Sequence, residues 1–372
     1  MALMTLLLLS TLALAFAALA QSEPTIAANH LRTAQAHALA DSAIERALWA
    51  LAHATAAQGF GGDGTAPNVT IAAAAAPPYD GSAFVEVGAS GGFHLTVSGT
   101  DPNLRIVRAV GWTPTSHPAD RRTKARSEVT ATLVRLRNLA REAPCALCTG
   151  GALTLTTSTV DARGSESTDC GGKVGSASAG TLAIAAGARA YGSGAPEGEP
   201  NLQGRDWRQH EAPQWYLRPD DLATLRSLAI ERGTYVRPPS DARITLAGVA
   251  SGLVFVDTPT ATTITPTNVA NVAVGPTLTA QPPFHGWLVV NGNVVLETGA
   301  DIDGLVYATN AIVTEGVATI EGAALAQQAL GAAMSVADLT VRFDCALARG
   351  TGRLPSGWFI RAGTYCDGTA GC

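Results

Sequence analysis

The chain has 372 residues, enough to bury more than one small core, and only 15% of them are charged. A formal net charge of −5 gives no electrostatic reason to expect nucleic acid as a partner. With 39 glycines, 20 prolines and 5% aromatic residues, the composition favours many turns between short strands of small side chains.

Residues 1–57 are expected to form one long helix. The opening MALMTLLLLSTLALAFAALA is free of charge, and as a helix of about 30 Å it would cross a hydrocarbon core. After a bend expected at Pro24, an alanine-rich amphipathic half follows, with Ile44, Leu48 and Leu51 on one face. The rival is a secretory signal cleaved after Ala18-Leu19-Ala20. Against it stand the missing basic leader region, the length of the apolar run and the helical sequence that follows at once. A retained membrane anchor is therefore the reading taken, and both readings carry the rest of the chain out of the cytoplasm.

Residues 58–144 are expected to form a small antiparallel sheet. GFGGDGTAPN (59–68) is a linker, followed by NVTIAAAAA, AFVEV, GFHLTVSG, LRIVRAVGW and SEVTATLVRL. Phe93, Leu95 and Val97 alternate with His94, Thr96 and Ser98, as in a half-buried strand. The basic loop Arg121-Arg122-Thr123-Lys124-Ala125-Arg126 reads as a solvated connection.

Residues 145–344 are read as a β-rich domain with partial parallel β-helix character. An inserted helix is expected near 219–232, with Pro219, Asp220 and Asp221 in its first turn and Gly233 after its end. Gly286, Gly304 and Gly322 each open a similar unit at an 18-residue interval, and Gly252 opens an earlier one. Residues 345–372 form a cysteine-containing tail. The fold class expected is thus α+β: a long transmembrane and amphipathic helix, a small sheet, and a solenoid-like β region.

The six cysteines, Cys145, Cys148, Cys170, Cys345, Cys366 and Cys372, read as disulfides in an exported chain. Six cysteines allow fifteen pairings. The expectation is a Cys148–Cys170 bridge and one bridge among Cys345, Cys366 and Cys372. Cys145-Ala-Leu-Cys148 lacks the second pair or the histidines of a zinc site and the βαβ context of thioredoxin-like chemistry, so it reads as a structural disulfide and not as a metal or redox site. SASAG (176–180) lacks the first glycine of a nucleophile elbow. Asp301 and Asp303 read as turn residues, and His30, His37 and His53 as helix-surface residues. Glu197 and Glu199 sit in a turn-rich loop, and Asn68-Val69-Thr70 fits a glycosylation sequon. No catalytic constellation and no cofactor site emerges. A polysaccharide-degrading enzyme would need clustered Asp, Arg or Lys, and 286–328 contains no Lys or Arg.

The front of the chain resembles type IV pilus assembly proteins of the PilX type, relatives of minor pilins and large type II secretion pseudopilins. The residues that carry this are ALMTLLLLSTLALAFAALA followed by IAANHLRTAQAHALADSAIERALWAL, with Pro24 near where pilin helices bend. FHLTVSGTDPNLRIVRAVGW and SEVTATLV are similar to the pilin-like sheet, and GWLVVNGNVVLETGADIDGLVYATN is similar to C-terminal repeats of large members. Two features depart from the pattern. No basic leader ending in glycine precedes the helix, so the chain is either the processed form or starts upstream. Thr5 stands near the place of the glutamate of major pilins, which fits a minor component better.

The resemblance implies a non-enzymatic filament component, with other pilins or pseudopilins and membrane lipid as partners of its helix. It also implies a single-pass inner-membrane location with a periplasmic or extracellular body. The alternative is an exported, membrane-anchored β-helix adhesin or carbohydrate-binding protein.

Overall fold

The computed structural model describes residues 2–53, 77–99, 103–117, 124–136, 138–168, 170–194, 206–209, 215–246, 252–276, 283–331, 333–350 and 357–368. The linker at 59–68, the sequon at Asn68, Arg121 to Thr123, Glu197, Glu199 and Cys372 lie outside them. Two compact units make up the chain: Met1–Arg135 with Trp358–Cys372, and Leu136–Gly357.

The first unit is a helix on an antiparallel sheet. Helix α1 spans Ala2–His53, with Pro24 inside it. The sheet runs β1 (Val85–Glu86), β2 (Gly92–Ser98), β3 (Leu104–Thr113) and β4 (Ala125–Leu136), followed by the tail strand Gly357–Ile360. Cys366–Asp367 also pairs with β4, antiparallel. Alternation decides which face is buried: Phe93, Leu95, Val107, Ala109, Val129, Ala131 and Leu133 turn inward. Ala36, Ala40, Ala43, Ile44, Ala47 and Leu51, spaced by three and four, meet them. Burial of Ile44, Leu51, Phe93 and Leu95 contributes about 1.5–3 kcal/mol each.

The second unit is built from parallel strands. Its main sheet includes Gly252–Val256, Phe284–Val290, Asp301–Ala308 and Ala318–Ala326, paired parallel in that order. A smaller parallel sheet holds Ala270–Val274, Gly292–Leu296 and Ile312–Thr314. Leu288, Val306 and Ala324 from the first, with Val272, Val294 and Ile312 from the second, belong to one core. Gly252, Gly286, Gly304 and Gly322 stand in register, and a Cβ on Gly304 would lie 1.9 Å from the Gly286 carbonyl oxygen. Helix Pro219–Glu231 is tied to the unit by Asp257, a fully buried carboxylate. Arg226 Nε lies 2.7 Å from it, and the Tyr235 hydroxyl, Asn291 Nδ2 and Thr258 N–H donate to it. Asparagine side chains form a ladder at one end of the smaller sheet: Asn310 Nδ2 donates to Asn293 at 2.7 Å, and Asn293 Nδ2 to Asn271 at 2.8 Å.

These observations correct the expected fold class. Among the described residues the structure is mainly β, with 42% strand and 22% helix, and the sheets do not close. The Gly-led runs of small residues supply that strand content, so α+β with a transmembrane helix does not describe it. From 24 to 51 the helix carries Arg32, Asp41, Glu45 and Arg46, and charges there oppose transfer into lipid. Among the described residues, no helix is long and apolar enough to cross a membrane. The expected single-pass inner-membrane anchoring is therefore not supported.

Candidate assembly surface

Helix α1 is packed on the sheet along only part of its length. Ala36, Leu39, Ala40, Ala43, Ile44, Ala47, Ala50 and Leu51 are at most 7% exposed. Ahead of them Met4, Leu9, Leu12, Ile26 and Leu31 are 54–76% exposed. Alanine at the contact lets the helix approach closely, and Gly111 on β3 completes the fit: a Cβ there would lie 2.0 Å from the Ala36 carbonyl oxygen. The sequence placed Ile44, Leu48 and Leu51 on the working face. The structure adds the alanines, whose spacing was legible but whose partner glycine was not.

The tail is held against α1 and β4 by polar contacts. His37 Nδ1 lies 3.5 Å from Asp367 and its Nε2 3.5 Å from Asp41. The Tyr365 hydroxyl donates to Asp41, and Thr132 N–H donates to Thr364 Oγ1 at 3.1 Å. Partial burial raises the Tyr365 pKa, and the Asp41 carboxylate raises it further. On the sheet's other side Glu128 accepts from Arg108 and Arg126, and the Arg108 bond holds its carboxyl below the usual range. The Arg126 guanidinium lies 5.7 Å from the Trp112 ring, so this end of the basic loop is engaged within its own unit.

The disulfide read at Cys145-Ala-Leu-Cys148 forms, whereas the expected Cys148–Cys170 bridge does not. Cys145 bonds Cys148, and Cys170 bonds Cys345 across a separation of 175 residues. The proposed Cys148–Cys170 bridge is thereby corrected: strand Cys145–Thr149 brings the two nearest thiols to a Cα separation of 5.5 Å, while the helix Cys345–Arg349 delivers Cys345 to Cys170 at 5.8 Å. Cys345 is thus not bridged within the tail. Cys366 is also disulfide-bonded.

The remaining singled-out residues do not converge. His30 is exposed, and Ser176 and Ser178 are buried in a strand. Asp303 lies 3.1 Å from His285 Nδ1, and its pKa is raised by burial and by Asp301, Glu321 and Asp344. Among the described residues no group of three or more His, Cys, Asp or Glu could hold a metal ion.

Sequence reasoning missed Lys173. It is 4% exposed and donates to the carbonyls of Arg141 and Ala143, both at 2.7 Å. Burial, with Arg141 and Arg208 nearby, lowers its pKa to about 8. These two carbonyls close the short helix Leu139–Glu142, so the lysine serves as a buried cap.

No family model matches this chain, and no curated protein and no solved structure matches it either.

Proposed function

We propose that the chain is a non-enzymatic, minor pilin-like component of a type IV pilus or a related type II secretion pseudopilus. It joins the filament through α1, and its partners are the helices of other pilins or pseudopilins. One observation carries this reading: a 52-residue helix packs its second part on its own sheet and leaves Met4, Leu9, Leu12, Ile26 and Leu31 exposed ahead of it. Apolar side chains spread along a helix in water favour burial against a partner. Between them lie Ala13, Ala15, Ala17, Ala18 and Ala20, small residues that suit close helix packing. The PilX-type resemblance of the same stretch supports the choice of partner. Deleting the gene in the producing bacterium tests it by electron microscopy: surface filaments should be lost or shortened and return with a complementing copy. Unchanged filaments would contradict the proposal.

A further inference from the structure

The outward side of the main parallel sheet carries a row of polar side chains in register. His285, Asp303, Glu321, Arg342, Asp161 and Tyr191 are direct neighbours on six consecutive strands. Successive side chains point to opposite faces of a strand. Accordingly Ile302, Ile320, Val341 and Val160, one position earlier, are fully buried. The row is partly open to solvent, with side-chain exposures of 39% for His285, 41% for Glu321 and 64% for Arg342, against 17% for Asp303 and 22% for Asp161. Two positions earlier runs a second outward row, in which Asp301, Thr319, Thr340 and Thr159 are again in register. On the other flank the helix Cys345–Arg349 bounds the strip, where Trp287 Nε1 donates to the Ala348 carbonyl at 2.9 Å.

Ion pairs, one across strands and one between residues two apart in the chain, account for part of this row. Arg342 lies 3.1 Å from Glu321, and Arg163 lies 2.6 Å from Asp161 with its guanidinium 4.3 Å from the Tyr191 ring. Such pairs stabilise a sheet by about 0.2–1 kcal/mol each. Asp303 and Glu321 are carboxylates directly opposite on neighbouring strands, an arrangement that costs stability and is offset by His285, 3.1 Å from Asp303, and by Arg342 beside Glu321. Burial raises the Asp303 pKa, His285 opposes the rise, and Asp301, Glu321 and Asp344 add to it.

We propose that this strip binds an extended, uncharged polysaccharide running across the strands, one sugar unit to each strand step. The steps repeat at about 4.8 Å, so six strands offer about 24 Å of regularly spaced hydrogen-bonding groups. Carboxylates accept from sugar hydroxyls, guanidiniums donate to them, and the threonine row can do either. Four carboxylates face Arg342, Arg163 and Arg189, so neither sign dominates and a polyanion or a polycation gains little.

Affinity gel electrophoresis of the full chain tests this, with hydroxyethylcellulose, galactomannan or dextran cast in the gel, and heparin and polylysine as charged controls. At least one neutral polymer should retard the protein. The double variant Glu321→Ala/Arg342→Ala should weaken that binding about tenfold or more. Thr319→Val/Thr340→Val, which removes hydroxyls while keeping side-chain shape, should also weaken it, with thermal unfolding of both variants recorded to show that they fold. Retardation by none of the neutral polymers, by heparin alone, or equally in all variants would overturn the proposal. A Leu9→Asp/Leu12→Asp chain should bind polysaccharide unchanged, which keeps this inference separable from filament assembly.

Discussion

Gly111 sits beneath Ala36 with no room for a side chain: a Cβ would come within 2.0 Å of the Ala36 carbonyl oxygen and 2.8 Å of the Ala40 nitrogen. Helix α1 therefore rests on β3 through backbone, and the spacing between helix and sheet is set at this point. Gly111→Ala should push the helix off the sheet and destabilise the first unit by about 1–3 kcal/mol or more. Urea unfolding followed by Trp112 and Trp358 fluorescence reads this. An unchanged midpoint would show that the helix is not seated where the geometry places it.

Gly304 offers a second steric test. Its φ of +150° is one that L side chains rarely adopt, and an added Cβ would meet the Gly286 carbonyl oxygen at 1.9 Å. Gly304→Ala should destabilise the second unit by about 3 kcal/mol or more. Gly331→Ala, at φ +75° with open space around the Cβ, should cost only the conformational penalty of about 1–2 kcal/mol. Calorimetry on the two variants compares them directly, and equal losses would contradict the close packing of the glycine row.

The two bridges in the second unit should contribute unequally. In the chain-entropy picture a 175-residue closure constrains the unfolded chain by about 5 kcal/mol, and one across three residues by about 2. Cys170→Ser/Cys345→Ser should therefore lower stability well beyond Cys145→Ser/Cys148→Ser. Non-reduced peptide mapping should recover Cys145 joined to Cys148 and Cys170 joined to Cys345. A Cys148–Cys170 peptide would refute the pairing.

Lys173 gives a pH dependence with a definite sign. Its folded pKa of about 8 lies below the ordinary lysine value of 10.5, so between these pH values the unfolded chain binds more protons than the folded one. Stability supplied by this site therefore rises as pH increases from about 8 towards 10.5 and is lowest below that window. Lys173→Met removes the term. The urea midpoint of the native protein minus that of the variant should climb between pH 7.5 and pH 10. A flat difference would show that the lysine is solvated.

The glycines at 286, 304 and 322 were legible in the sequence because a fixed interval imposes a fixed register, and the hydroxyl and amide residues that follow them repeat at the same interval. The alternation of Phe93, Leu95 and Val97 likewise announced a strand. What remained hidden depends on contacts between distant positions. Nothing near Cys170 marks Cys345 as its partner, and nothing near Asp257 announces Arg226, Tyr235 and Asn291 around it. The return of Gly357–Ile360 to the edge of β4 is non-local in the same way. The membrane expectation failed for a different reason. Hydropathy was read from the first 20 residues, whereas the part of α1 from 24 to 51 is charged at four positions and turns its alanine face to the sheet.

We propose that the exposed apolar side chains of α1 join this chain to a filament. The most direct measurement is to shear surface filaments from the producing cells and probe the filament fraction for the chain, beside an otherwise identical strain carrying Leu9→Asp/Leu12→Asp. The native chain should appear in the filament fraction and the variant should be absent from it, with equal amounts of both in whole cells. Native chain absent from the filaments, or variant incorporated as well as native, would contradict it.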